Sequence, residues 1–169
     1  LNDAKLVAVD TLRAIAQQPE LSDMLSVGHG EVSIFWIDPG TGLPCKARPD
    51  WVNGDQLLDL KSTADESPSG FGRAAARMKY HLQAAHYSEG FEILTGFKDT
   101  SFTFAAVTNT PPVLAVPYRL TDEIQVGMAE VEIARRLELL MGLEGAEDRA
   151  FDSIVAGGPH SAIPHHQPT

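Results

Sequence analysis

Cysteine occurs once, at Cys45, in a chain of 169 residues. A single thiol excludes an internal disulfide and leaves the cytoplasm as the default compartment. No apolar run approaches the roughly 18 residues that a membrane span requires, so no membrane partner is expected. Acids are mixed into the amphipathic N-terminal stretch, which excludes a secretory signal there. The phosphate-cradling pattern G-x-x-x-x-G-K-[ST] is absent, so no nucleotide-driven motor is expected, and no motif for an organic cofactor is present. Positive charge is also short: 13 Lys and Arg stand against 23 Asp and Glu, a formal net charge of −10. That balance argues at first sight against nucleic acid, because phosphate binding rests on Lys and Arg. The distribution weakens the objection. Six of the 13 basic residues lie between Lys46 and Lys79, whereas the acids concentrate from Asp122 to Asp152. Leu1 is not an initiator methionine, so the expectation is a processed chain or a piece of a longer one, lacking an N-terminal part.

What is present reads as one domain over residues 1–152 followed by a disordered, Gly-, Pro- and His-containing tail over 153–169. Residues 3–26 carry apolar positions at helical spacing, interrupted at Pro19-Glu20. Glu31 to Ile37 alternates as a half-buried strand. The turn signal Asp38-Pro39-Gly40 then predicts a return strand from Cys45 to Val52, and Asn53-Gly54-Asp55 a tight turn into a third strand, Gln56 to Ser62. These three form an expected antiparallel meander. Ser67-Pro68 opens a predicted helix whose apolar face reads Phe71, Ala75, Met78, Leu82, Ala85, ending near Gly90. Two more strands, Ser101 to Val107 and Val113 to Tyr118, flank a Pro-Pro turn, and a long acidic helix is expected from Thr121 to Met141. The order implies an α/β fold around a mixed sheet of about five strands flanked by helices.

The chemistry concentrates in residues 48–68. Asp50 falls on the second strand and Asp59-Leu60-Lys61 on the third. Alternation points Asp59 and Lys61 to one face and Leu60 toward the core. Pairing around Asn53-Gly54 can bring Asp50 near Asp59. Two carboxylates and a lysine on one face suit phosphodiester hydrolysis, since Mg²⁺ takes oxygen ligands and is held by one or two carboxylates plus substrate phosphate. The Leu60 carbonyl is a further candidate oxygen. Lys61 would orient the attacking water and stabilise charge on the phosphate. The competing reading is a solvent-facing ion pair between Asp59 and Lys61, worth under about 1 kcal/mol. On the helix, Tyr80, Gln83 and Tyr87 share a stripe beside the apolar face. An amide and two phenols there can bind a phosphate or brace a water, or simply edge an amphipathic helix.

Together, CKARPDWV, DLKSTADESPSGF and YHLQAAHYSEGF resemble the C-terminal nuclease domain of RecE-type exonucleases. These belong to the PD-(D/E)xK nuclease superfamily and its RecB-like branch with a Q-x-x-x-Y motif. The similarity runs from about Glu31 to Phe104. The resemblance implies a restriction-endonuclease-like core and Mg²⁺-dependent 5′-to-3′ digestion of linear double-stranded DNA, with Mn²⁺ able to substitute. It further implies a ring-like homo-oligomer such as a tetramer, a single-strand annealing protein as recombination partner, and a phage or prophage setting. On matching positions it implies Asp50 and Asp59 as metal ligands with the Leu60 carbonyl, and Lys61 as catalytic lysine. Gln83 and Tyr87 match the helix motif, and Glu31 and Tyr80 are supporting residues. One feature departs from the pattern. Such proteins carry a metal-binding histidine or acid on an upstream helix, and no histidine precedes Gly28. The histidine is expected in sequence outside this chain, or an acid such as Glu31 substitutes. A structure-specific endonuclease of the same superfamily, or a catalytically incomplete DNA-binding or assembly module, are the alternatives.

Of the remaining residues, His81 and His86 read as structural or interfacial and Cys45 as a small buried hydrophobe. Trp36 and Trp51 read as core or interface, and His160, His165 and His166 as part of the solvated tail. Thr63 and Ser67 either cap the loop or donate to a DNA phosphate.

Overall fold

The computed structural model describes residues 3–119 together with 131, 134–137 and 139–143, with side chains from residue 8 onward. The elements run α1 (Asp3–Ala16), α2 (Pro19–Ser26), β1 (His29–Gly30), β2 (Ile34–Ile37), β3 (Pro44–Ala47), β4 (Trp51–Asn53), β5 (Gln56–Thr63), α3 (Pro68–Arg77), α4 (Tyr80–Thr95), β6 (Ser101–Thr108) and β7 (Ala115–Arg119). The expected helix from Thr121 to Met141 lies largely outside the described residues, although helical backbone recurs at 134–137 and 139–143. The tail from 153 to 169, its three histidines and the boundary at 152 lie outside them altogether.

A five-stranded mixed sheet in the order β1-β4-β5-β6-β7 forms the centre, with a separate two-stranded sheet of β2 and β3. β5 and β6 are parallel from Gln56↔Ser101 to Thr63↔Thr108, and α3 and α4 form the crossover between them. Parallel neighbours need such a crossover, and a strand covered on both faces reads as a nearly continuous apolar run. β6, with sequence SFTFAAVT, is buried along almost its whole length. One face of the sheet packs Leu57, Phe102, Phe104 and Ala106 against Phe71, Ala84, Tyr87 and Phe91 of α3 and α4, with Ile34 and Trp36 of the hairpin completing that core. The other face packs Leu58, Ala105 and Val107 against Ala14, Ile15, Leu21 and Met24 of α1 and α2. This is the mixed sheet flanked by helices that the element order implied.

Three local expectations are corrected. The meander is broken: the second strand splits at Arg48-Pro49-Asp50, so that β3 pairs with β2 and β4 pairs with β5. Proline offers no N–H and ends a ladder, which lets one stretch of chain serve two sheets. Asp50 therefore immediately precedes β4 rather than lying within a strand. The single helix over 68–90 is two: α3 stops at Arg77, and Lys79 takes a left-handed conformation (φ 53°) before α4 begins and runs on to Thr95. Leu60 does not enter the core. It is 42% exposed, because it lies on the α1–α2 face beyond the cover those helices give Leu58. Trp36 is buried, whereas Trp51 and Cys45 are only half-buried.

The hairpin is anchored to α4 by close packing. A Cβ added to Gly90 would sit 2.5 Å from ring carbons of Trp36. Gly90→Ala is therefore expected to cost about 1–3 kcal/mol through overpacking, read as a lowered urea midpoint. Beside it lies a buried ionic cluster. Arg135, 4% exposed, places Nη1 at 2.7 Å from Asp38 Oδ2 and 2.6 Å from Glu89 Oε2, and Nη2 at 2.7 Å from His86 Nδ1. His86 Nε2 lies 3.1 Å from the Lys46 carbonyl. The guanidinium can only donate, so Nδ1 accepts and Nε2–H donates, which makes His86 a neutral, structural imidazole.

Burial first, and then the Arg135 charge, push the His86 pKa down to about 4 from an ordinary 6.5. Between those values the unfolded chain holds a proton that the folded chain refuses. Stability from this group is complete above about pH 6.5 and falls as the pH drops toward 4. The loss amounts to about 3 kcal/mol, to an order of magnitude. Urea titrations across that range should show this slope in the wild type and a flatter one in His86→Gln; equal slopes would refute the assignment.

Candidate active site

The β4–β5 register, Trp51↔Leu58 and Asn53↔Gln56, is set by the turn at Gly54, whose positive φ of 59° glycine adopts without strain. Continuing that register by one residue sets Asp50 opposite Asp59, and by a second sets Pro49 opposite Leu60. Having no N–H, Pro49 cannot donate to the Leu60 carbonyl, and the Leu60 N–H instead donates to Asp50 Oδ2 at 2.7 Å. A proline followed by an aspartate thus ends the ladder and turns a carboxylate toward the exposed strand backbone.

Asp59 and Lys61 share the face covered by α4, and Gln83 lies across from them. Lys61 Nζ is 2.6 Å from Asp59 Oδ2 and donates to Gln83 Oε1 at 2.7 Å, while Gln83 Nε2 donates to Asp59 Oδ1 at 2.7 Å. The three side chains close a ring. Below it, the Lys61 ammonium stands 4.6 Å from the centre of the Tyr80 ring and 5.6 Å from that of Phe104, which itself stacks on Tyr80. Tyr87, 1% exposed, hydrogen-bonds the Gln83 side chain and the Arg48 backbone. Burial, reinforced by the Asp59 charge, pushes its pKa up to about 12, so it remains a neutral phenol that fixes the amide. The side chains of Asp59 and Lys61 are only 7% and 17% exposed, which removes the reading of a solvent-facing ion pair.

The electrostatics of the acids are unfavourable as they stand. Burial and then the charge of Asp59 raise the Asp50 pKa to about 6. Asp59 is also raised, by burial first, although Lys61 and Gln83 pull the other way. Glu31 adds negative potential at both acids, and its side chain pairs with Arg48 at 2.8 Å on the surface. Its amide donates to the Asp50 carbonyl at 2.9 Å. Two crowded carboxylates with one lysine between them lack positive charge, and a hard divalent cation supplies what such a donor set lacks. The fitting donors are Asp50, Asp59 and the Leu60 carbonyl. Among the described residues no cluster of three or more His, Cys, Asp and Glu side chains forms a metal site, so a cation here would rely on two carboxylates, backbone, water and substrate.

The site thus gathers Asp50, Asp59, Lys61, Gln83, Tyr80 and Tyr87, with Glu31 at its rim. His81, half-buried on α4, belongs to none of the bonds of the ring, and His86 lies in the Arg135 cluster. Ser67 caps α3 by accepting from the Gly70 amide at 3.1 Å, and Thr63 braces the Asp65 turn. Phe104 is the contributor that the sequence did not disclose. Only the parallel register, Asp59↔Phe104, brings it under the lysine.

The fold is similar to the crystal structure of a candidate exonuclease from Eubacterium rectale, with a TM-score of 0.68 and 20% identity over 84% of this chain. The chain spans 55% of that protein's length. A 44-residue stretch, 26% of the chain, is 50% identical to the Xaa-Pro dipeptidases of Pyrococcus furiosus and Pyrococcus horikoshii, covering 13% and 12% of those proteins. A segment that short amounts to one supersecondary unit and carries no catalytic domain with it. No helix among the described residues is long and apolar enough to cross a membrane. Residues 3–146, nearly the whole chain, match the PDDEXK-like domain of unknown function (DUF3799), and the chain belongs to that family.

Proposed function

We propose that this domain is the catalytic core of a Mg²⁺-dependent deoxyribonuclease, an exonuclease of RecE type that hydrolyses phosphodiester bonds of linear double-stranded DNA from 5′ to 3′. The observation that carries the reading is the closed ring of Asp59, Lys61 and Gln83 with Asp50 directly across the strand. Asp50, Asp59 and the Leu60 carbonyl would hold the cation. When bound, a divalent cation supplies a water of lowered pKa and neutralises charge on the phosphate. Lys61, held over Tyr80 and Phe104, orients the attacking water and stabilises charge building on the phosphate oxygens. Gln83 fixes the ammonium relative to Asp59, and Tyr87 fixes Gln83. Because both amide ends are used, rotation of the ring members is suppressed, and such preorganisation is what transition-state stabilisation needs.

Duplex DNA is the proposed substrate in a cytoplasmic setting. A ring-like homo-oligomer and a single-strand annealing partner complete the proposal. End-labelled linear duplex and closed circular DNA, each incubated with Mg²⁺, provide the test. The linear form is expected to shorten from its ends while the circle persists. Cutting of the circle would instead support a structure-specific endonuclease. Calorimetric titration with Mg²⁺ or Mn²⁺ separates the third reading, since a non-catalytic module would bind no ion in a manner dependent on Asp50 and Asp59.

A further inference from the structure

The β2–β3 hairpin presents two faces of opposite character. Its inner residues Ile34, Trp36 and Ala47 are buried against α4. Its outer face carries Phe35, 67% exposed, and Ile37, 61% exposed, with Lys46 directly opposite Phe35 and Pro44 opposite Ile37. Arg48 follows Lys46 on the same face and is exposed. A large aromatic left in water beside two cations is not explained by folding, since the hairpin's packing is complete on its other side.

The face is also electrically distinct. The formal charge of the whole chain is −10, yet between Val32 and Arg48 the only acid is Asp38, which is buried against Arg135. The outer surface of the hairpin itself therefore shows cations and apolar rings, and the exposed carboxylate beside it is that of Glu31, paired with Arg48 at the end nearest the active site. It is continuous with the active site. β3 leads through Arg48 and Pro49 to Asp50, and four residues of even fully extended chain place Lys46 no more than about 13 Å from that aspartate. Arg48 is held at this end by Glu31, the acid whose charge reaches both Asp50 and Asp59.

We infer that the outer face of this hairpin is a platform for an unpaired DNA strand, on which Phe35 stacks a base and Lys46 and Arg48 contact phosphates within a few nucleotides of the acid pair. An exposed aromatic with cations on the neighbouring strand is the chemistry that single-stranded nucleic acid takes, because every base has a face to stack and every linkage a charge to neutralise. The inference rests on the nuclease reading for its role, but strand binding can be measured apart from cleavage.

The test uses the full chain, a fluorescent oligothymidine of about 20 nucleotides, EDTA to prevent cleavage, and low salt, about 50 mM. Anisotropy is expected to show that Phe35→Ala weakens binding about tenfold or more and that Phe35→Tyr restores it. Lys46→Ala should reduce the slope of log affinity against log salt by about 0.7, the release of one counterion from a single strand. Leu12→Ala, on α1 across the sheet, should change neither. Melting curves of each variant confirm folding, which the exposure of these side chains favours. Affinity of Phe35→Ala equal to wild type, or no binding by wild type, overturns the platform. So does a change from oligomer to monomer in Phe35→Ala with DNA affinity intact, which would make the face a contact between copies. Absence of Mg²⁺-dependent cleavage by a wild type that still binds the strand through Phe35 would refute the nuclease reading alone.

Discussion

Lys61→Ala and Asp59→Asn are each expected to lower Mg²⁺-dependent digestion of linear duplex DNA by about 10³-fold. The two should differ in stability, and this difference distinguishes the ring from an incidental ion pair. Asp59→Asn preserves shape and leaves Lys61 its bond to Gln83, so the melting temperature should move little. Lys61→Ala removes the cation from a buried carboxylate whose pKa is already raised. It should destabilise the fold markedly at neutral pH and much less under acid conditions, where Asp59 can take a proton. Lys61→Met keeps the aliphatic stem over Tyr80 and Phe104 and should recover packing without recovering activity. Equal nuclease activity in wild type, Lys61→Ala and Asp59→Asn would remove the site assignment.

The largest effect on stability is expected far from that ring. Arg135→Ala should cost about 3–5 kcal/mol, because it leaves Asp38, 2% exposed, and the half-buried Glu89 without their guanidinium. Although burial works against its charge, the Thr41 hydroxyl and amide, together with Arg135, hold Asp38 below the usual carboxylate range. Pairing Arg135→Met with Asp38→Asn should recover part of the loss, since the double variant buries no unpaired charge at that contact. Urea denaturation of wild type, Arg135→Met, Asp38→Asn and the double variant forms a double-mutant cycle. A loss under about 1 kcal/mol in Arg135→Ala would mean that the cluster is hydrated and does not tie this residue to the hairpin.

The two sites differ in how far the sequence discloses them. Asp59 and Lys61 share a face through the two-residue period of a strand, and Gln83 and Tyr87 share one through the turn of a helix. Both are local geometries, visible to anyone reading spacing. Asp38, His86, Glu89 and Arg135 have no such relation. Their separation in sequence reaches 97 residues, and nothing at Arg135 distinguishes it from Arg136 beside it. The break at Met78-Lys79 was hidden for a related reason. The apolar steps Phe71, Ala75, Met78, Leu82, Ala85 continue through it, because both helices face the same sheet and tertiary packing keeps the pattern in phase.

By itself the sequence determined the α/β order, the turn at Gly54 and the residue types of the candidate site. Those follow from steric and periodic rules that act over a few residues. Only the tertiary structure decided that one predicted strand divides between two sheets, that Leu60 faces solvent, and that Gln83 spans Asp59 and Lys61 over a floor of Tyr80 and Phe104. These depend on which parallel neighbour β5 acquires and where α4 crosses it. The free energy that selects that packing is spread over buried surfaces of elements distant in the chain, and no short run of residues encodes it.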